Sequence, residues 1–222
     1  MLWSPNTQLL HPFENTALDY SGNARHGTVF GSGVYATKPN GGRCLYFDGV
    51  GDYVKTPSFA LSGTVVVFAA DARYKVQASG IQVILSDNAG SNTVGYLFCR
   101  LPGNTTNLMW YYADGAGQRL VVYNNFFSDD VWTHMVIVCD YAGAKTYFYR
   151  SGMLIQTSSM TGTPVFPSTA RARWLGSLDG TNYMLTQGYL ANVQLWTLAT
   201  MPAAGQMLAN VNRLMLGMNP IW

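Results

Sequence analysis

Apolar and polar residues alternate in short runs along most of the chain, and clusters of Gly, Pro, Asn, Asp and Ser separate the runs. A period of two is the mark of a strand with one face buried. Strands are therefore predicted over 43–48, 53–56, 64–71, 81–86, 95–100, 108–113, 119–124, 133–140, 145–150, 153–158, 173–176 and 188–196. Turn chemistry sits between them, as in Pro39-Asn40-Gly41-Gly42 and Pro102-Gly103-Asn104, where Gly and Asn supply positive φ and Pro pre-sets the turn. So many short strands exceed what one flat sheet holds, which predicts an all-β chain of two packed antiparallel sheets. The stretch 133–139 is apolar on both faces except at Thr133 and His134. It must be covered on both sides, by the opposite sheet and by loops or a neighbouring subunit.

The period changes only after Thr200. Pro202 suits a first helical turn, and Met207, Leu208, Val211, Leu214 and Met215 follow at spacings of three and four up to Gly217. A short C-terminal α-helix is predicted there, with an apolar tail, 218–222, that needs a docking surface on this chain or another. The expected organisation is one sandwich over 1–200, with an N-terminal lead-in at 1–17, followed by the helix and tail at 201–222.

Composition narrows the function classes. With 222 residues, 48% hydrophobic and only 11% charged, the chain is a folded domain and not a disordered one. A net charge of +2, dispersed along the sequence, gives no stripe for nucleic-acid phosphates. The longest apolar runs, 65–70 and 135–139, are far too short to span a membrane as a helix. The first residues, Met-Leu-Trp-Ser-Pro-Asn, lack the basic start and apolar stretch of a secretory signal. Cys44, Cys99 and Cys139 have no CxxC spacing and read as buried small hydrophobes.

Five landmarks then occur in a familiar order. They are Leu18-Asp19-Tyr20-Ser21-Gly22-Asn23-Ala24-Arg25-His26-Gly27-Thr28, Leu45 to Val54, Trp132-Thr133-His134-Met135-Val136, Tyr149-Arg150-Ser151-Gly152, and Gly188 to Trp196. Together they resemble the LamG-like, concanavalin A-like jelly-roll domains of lectins and glucanases. The resemblance spans residues 18–196 and implies a two-sheet jelly-roll sandwich. It also implies adhesion or carbohydrate binding. Two departures stand out: Ala191-Asn192 occupies a position often acidic in the family, and Ser151-Gly152 replaces its usual Asn-Gly turn.

Catalysis is not expected. Retaining jelly-roll glucanases place paired carboxylates on one strand, whereas the one glutamate here, Glu14, lies outside any predicted strand. Asp129-Asp130 reads as a solvated turn. There is no Gly-x-Ser-x-Gly elbow and no histidine pair at metal-ligand spacing. His11 is expected on the surface of the lead-in, His26 bonded within its turn, and His134, alternating with Val136 and Val138, as a satisfied framework histidine.

Binding candidates remain. Asp48 and Asp52 flank a Gly-rich turn able to aim carbonyls at a calcium ion, the one candidate cofactor, with Asp19 and Asp179 as weaker additions. The competing reading, that these carboxylates bond turn amides, is the stronger. For ligand or partner contact the candidates are Trp110 and Tyr112 on a strand, Tyr123, Asn125, Phe126 and Phe127 running into a loop, and Trp222 in the tail. Core packing competes for the strand pair. The expected function is a non-catalytic virion surface or decoration protein, acting through contact with other virion or capsid proteins or with copies of itself, and through cell-surface glycans. The alternative is a carbohydrate-binding module of a larger secreted protein, with a glycoside hydrolase a distant third.

Overall fold

The computed structural model describes residues 6–76, 80–87, 98–102, 105–180, 185–216, 218, 220 and 221. Among them run the strands β1 (Thr7–His11), β2 (Thr28–Phe30), β3 (Val34–Thr37), β4 (Arg43–Asp48), β5 (Tyr53–Lys55), β6 (Val65–Arg73), β7 (Ile81–Ser86) and β8 (Phe98–Pro102). They continue with β9 (Leu108–Ala113), β10 (Gln118–Tyr123), β11 (Trp132–Asp140), β12 (Lys145–Arg150), β13 (Met153–Ser159), β14 (Trp174–Leu175) and β15 (Thr186–Leu198), and end in helix α1 (Ala204–Met215). β4, β7, β9 and β12 coincide with the predicted runs. β1, β2 and β3 were not predicted: each is five residues or fewer, too short to establish a period.

An eight-stranded sheet has the order β13-β12-β11-β6-β15-β4-β3, with β1 also paired to β15, and a seven-stranded sheet has the order β10-β9-β8-β7-β14-β5-β2. All the ladders are antiparallel, as expected. β15 shifts register between Ala191 and Gln194; ahead of the shift it pairs with β4, and beyond it with β1. The β12–β13 hairpin closes through Ser151 and Gly152, both at positive φ (50° and 83°), the twist a two-residue hairpin needs.

The space between the sheets is filled by Phe47, Phe68, Ile137, Phe148 and their neighbours. It also holds four residues assigned above to ligand contact: Trp110, Tyr112, Phe126 and Phe127 are 0%, 1%, 0% and 3% exposed. Alternation placed Trp110 and Tyr112 on one face of β9, and that face points inward, with the Trp110 ring 6.4 Å from Phe68 of the opposite sheet. The loop after β10 folds back under the sandwich. The Phe127 amide donates to the Thr106 carbonyl at 3.0 Å, and Arg150 Nη1 donates to the Phe126 carbonyl at 3.0 Å. These rings are core.

The outer face of the eight-stranded sheet is only partly covered. α1 lays Met207, Val211 and Leu214 on Val65, Val67, Val136, Val138, Tyr149, Trp196 and Leu198, so the doubly apolar β11 is buried on both faces. The buried Asn210 fixes the tail by a reciprocal pair: its Nδ2 donates to the Ile221 carbonyl at 3.0 Å, and its Oδ1 accepts from the Ile221 amide at 2.6 Å.

The lead-in is not a surface segment. Pairing of β1 with β15 draws His11 inside, where it is 0% exposed and its ring lies 5.8 Å from that of Phe13 in a stacked arrangement. Cys44, Cys99 and Cys139 are free and buried, and burial pushes their thiols up.

Candidate functional site

Where α1 ends, the outer face of the eight-stranded sheet opens into a cleft of about 300 Å³, lined by Lys38, Pro39, Asn40, Asp71, Trp132, Thr133, His134 and Met215. Strand parity delivers its floor. Asp71 shares a face of β6 with Val65, Val67 and Ala69, and His134 shares a face of β11 with Val136 and Val138. The helix covers the valines and stops short of the two polar residues. Lys38 arrives from the β3–β4 turn. Its amide donates to the Gly42 carbonyl at 2.7 Å, and a Cβ at position 42 would sit 2.9 Å from Lys38 Cε, so glycine there lets the side chain lie along the turn.

Three donors converge on Asp71. His134 Nδ1 lies 2.7 Å from Oδ1, while Lys38 Nζ and Asn192 Nδ2 donate to Oδ2 at 2.8 and 2.6 Å. Burial alone would push the Asp71 carboxyl up. The hydrogen bonds and positive charges of His134 and Lys38 outweigh it and hold the group below its ordinary value. With Nδ1 turned to the carboxylate, the other ring nitrogen of His134, Nε2, is buried and meets no hydrogen-bond partner among the described residues. A buried polar atom left without a partner is costly. Beside a cleft it is an acceptor for a hydroxyl, or a donor when the ring is protonated.

Aromatic groups border the cleft. Lys38 Nζ lies 5.7 Å from the centroid of the Trp132 ring, and the Arg73 guanidinium 5.2 Å from that of Tyr189. Arg73 is held in turn by a two-point pair with Asp130, Nε to Oδ1 and Nη2 to Oδ2, each 2.8 Å. Chemically the cleft offers a ring surface, cationic donors and one carboxylate, Asp71. A glycosidase would need a second carboxyl, and the lining supplies none. The hydroxyl of Thr133 is directed to the carbonyl of Val131 at 3.4 Å.

The other predicted site residues lie elsewhere. Asp48 and Asp52 are brought together, with Ser32 Oγ 3.3 Å from Asp48 Oδ2 and 3.2 Å from Asp52 Oδ1. Their oxygens are directed to the turn. Asp52 accepts from the amides of Ser32, Gly33 and Asp48, and Asp48 from that of Val50. Burial raises the Asp52 carboxyl, and these amides more than offset it. Asp19 likewise accepts from the amides of Leu10, Ser21 and Arg25, and Asp179 sits in the bend after β14. Among the described residues no group of three or more His, Cys, Asp or Glu is placed to hold a metal ion. Tyr123 is half-buried with its ring 5.5 Å from that of Phe126, and the exposed Asn125 donates its amide to Asn107 Oδ1 at 2.9 Å. Trp222 lies outside the described residues. Sequence reasoning missed the cleft itself. Its signal was the parity shared by Asp71 and His134 with apolar neighbours on two central strands.

Residues 48–204 match the Laminin_G_3 family model, described as the concanavalin A-like lectin/glucanases superfamily. The chain belongs to that superfamily. No curated protein matches it significantly in sequence. Among solved structures, the receptor binding domain of botulinum neurotoxin D is similar with a TM-score of 0.69 at 12% identity, over 96% of this chain and 52% of that one. The serotype D ligand binding domain in complex with N-acetylneuraminic acid gives 0.70 at 13%, over 96% and 51%, and the binding domain of neurotoxin DC in complex with SialylT gives 0.69 at 13%, over 95% and 52%. This superfamily member thus spans about half the length of those structures, and at such identities the likeness concerns the fold alone. The superfamily holds both lectins and glucanases, so membership by itself does not choose between binding and hydrolysis.

Proposed function

We propose that this lectin-like sandwich is a non-catalytic glycan-binding module whose recognition surface is the cleft beside α1. The observation that carries the reading is the pairing of Trp132 with the unpartnered, buried His134 Nε2 in one cleft. A sugar ring presents an apolar face and a rim of hydroxyls. Trp132 serves the first, while His134, Lys38 and Asn40 serve the second. Asp71 does not touch the sugar; it fixes the orientation of His134, Lys38 and Asn192. Sialic-acid and SialylT complexes of the similar toxin domains add support for a carbohydrate. On a virion surface, the setting expected from the sequence, the same cleft serves adhesion, and finding the polypeptide in purified particles tests that setting.

The test of binding is a glycan array followed by calorimetry on the wild-type protein and Trp132→Ala. The expected result is saturable binding of at least one glycan, weakened about tenfold or more by loss of the ring, with the unfolding transition retained. Absence of binding to any glycan, or equal affinity of the variant, overturns the reading.

A further inference from the structure

The cleft is one end of a longer feature. Tyr46 of β4 is the direct cross-strand partner of Tyr189 of β15, Tyr189 is the partner of Arg73 of β6, and Arg73 is the partner of Trp132 of β11. Direct partners project from the same face of a sheet. That face is the outer one, since Leu45, Phe47, Leu190 and Ala72, their neighbours along the strands, all point into the core. The rings form a continuous row: Tyr46 and Tyr189 have centroids 4.8 Å apart, and Tyr189 and Trp132 have centroids 6.0 Å apart. None of the four side chains is fully buried. From Tyr46 to Trp132 the ring centroids span at most about 11 Å, more than one sugar ring covers.

The row is also interleaved with hydrogen-bonding groups. Arg73 sits between the two ends, fixed by Asp130, and Lys38 stands over the Trp132 end. A chain of pyranose rings presents apolar faces at regular intervals and hydroxyls between them. From this geometry we infer that the ligand of the cleft is a linear oligosaccharide of about three units, lying across the strands with one ring on Trp132 and the others on Tyr189 and Tyr46. The inference rests on the proposed glycan-binding function and specifies its ligand: an extended chain and not a single terminal sugar.

The experiment measures affinity by calorimetry for gluco-, galacto-, chito- and sialyl-galacto-oligosaccharides of one to five units, with the wild-type protein, Tyr46→Ala and Trp132→Ala. In at least one series affinity should rise roughly fivefold or more for each unit up to three, then level off. Tyr46→Ala should remove the gain at the third unit, while Trp132→Ala weakens every length. Because Tyr46 lies on the outer face, its loss leaves the core intact; a retained unfolding transition confirms this. A series that binds with the same affinity at one and three units, or a Tyr46→Ala profile identical to wild type, overturns the row and leaves the cleft standing. Failure of every series overturns both.

Discussion

Two tryptophans and two histidines divide between the inside of the sandwich and its outer face. Trp110 and His11 are both 0% exposed; Trp132 and His134 line the cleft. Trp110 packs toward Phe68 across the two sheets, and His11 stacks on Phe13 with neither ring nitrogen well bonded among the described residues. Trp132, in contrast, stands under a lysine, and His134 under the control of a carboxylate. Residue type is the same in each pair. What differs is the face onto which strand parity turns the side chain, and what lies above that face.

The largest effect expected from this contrast is on stability. Trp110→Ala empties a site enclosed on all sides and should cost about 3–5 kcal/mol, whereas Trp132→Ala, at the border of an open cleft, should cost less than about 1 kcal/mol. Urea denaturation of the two variants measures both. Similar losses would mean that Trp132 is as much a framework residue as Trp110, and the distinction between core and recognition ring would go.

The histidines separate by pH. Burial drives His11 down to about 4 from 6.5, against a weaker opposing pull from Asp19. Between those two values the unfolded chain binds a proton at this position that the folded chain refuses. Stability is therefore complete above about pH 6.5 and falls as the pH drops toward 4, by about 3 kcal/mol over the window. His11→Phe should flatten that limb of the curve in denaturation series between pH 7 and pH 4. A curve unchanged by the substitution would show that His11 is not the group responsible.

How much of this was legible in the sequence follows from the same contrast. Period-two alternation located most strands, and the i, i+3, i+4 spacing located α1, because both depend on neighbours in sequence. Alternation also grouped Trp110 with Tyr112, yet it does not say which face of a strand looks inward, and so both were placed among contact residues. His11 was misplaced because β1 is short and precedes Pro12, leaving no period to reveal that it joins a central strand. The cleft was the least legible part. Lys38, Asp71, the β11 pair Trp132 and His134, and Asn192 come from four separate segments and meet only through the registers of β6 with β11 and β15. The family-atypical Asn192 became meaningful once it was found donating to Asp71.

A smaller effect than that of His11 tests whether the cleft's own electrostatics are distinct from those of the core. Asp71→Asn keeps the shape of the side chain and removes its charge, leaving the Lys38 ammonium, 9% exposed in its side chain, without its carboxylate. The expected cost is roughly 2 kcal/mol at neutral pH, the range for a hydrogen-bonded charge that loses its partner. The wild-type carboxyl is held below its ordinary value of 3.8, so its contribution is present above that pH and is lost as the pH falls through the lower folded value. The Asn variant should lack this acid limb while keeping the His11 limb at higher pH, and the His11→Phe variant should do the reverse. An acid limb below pH 3.8 that Asp71→Asn left unchanged would show that Asp71 is not the group responsible, and the cleft would then contribute no acid limb of its own.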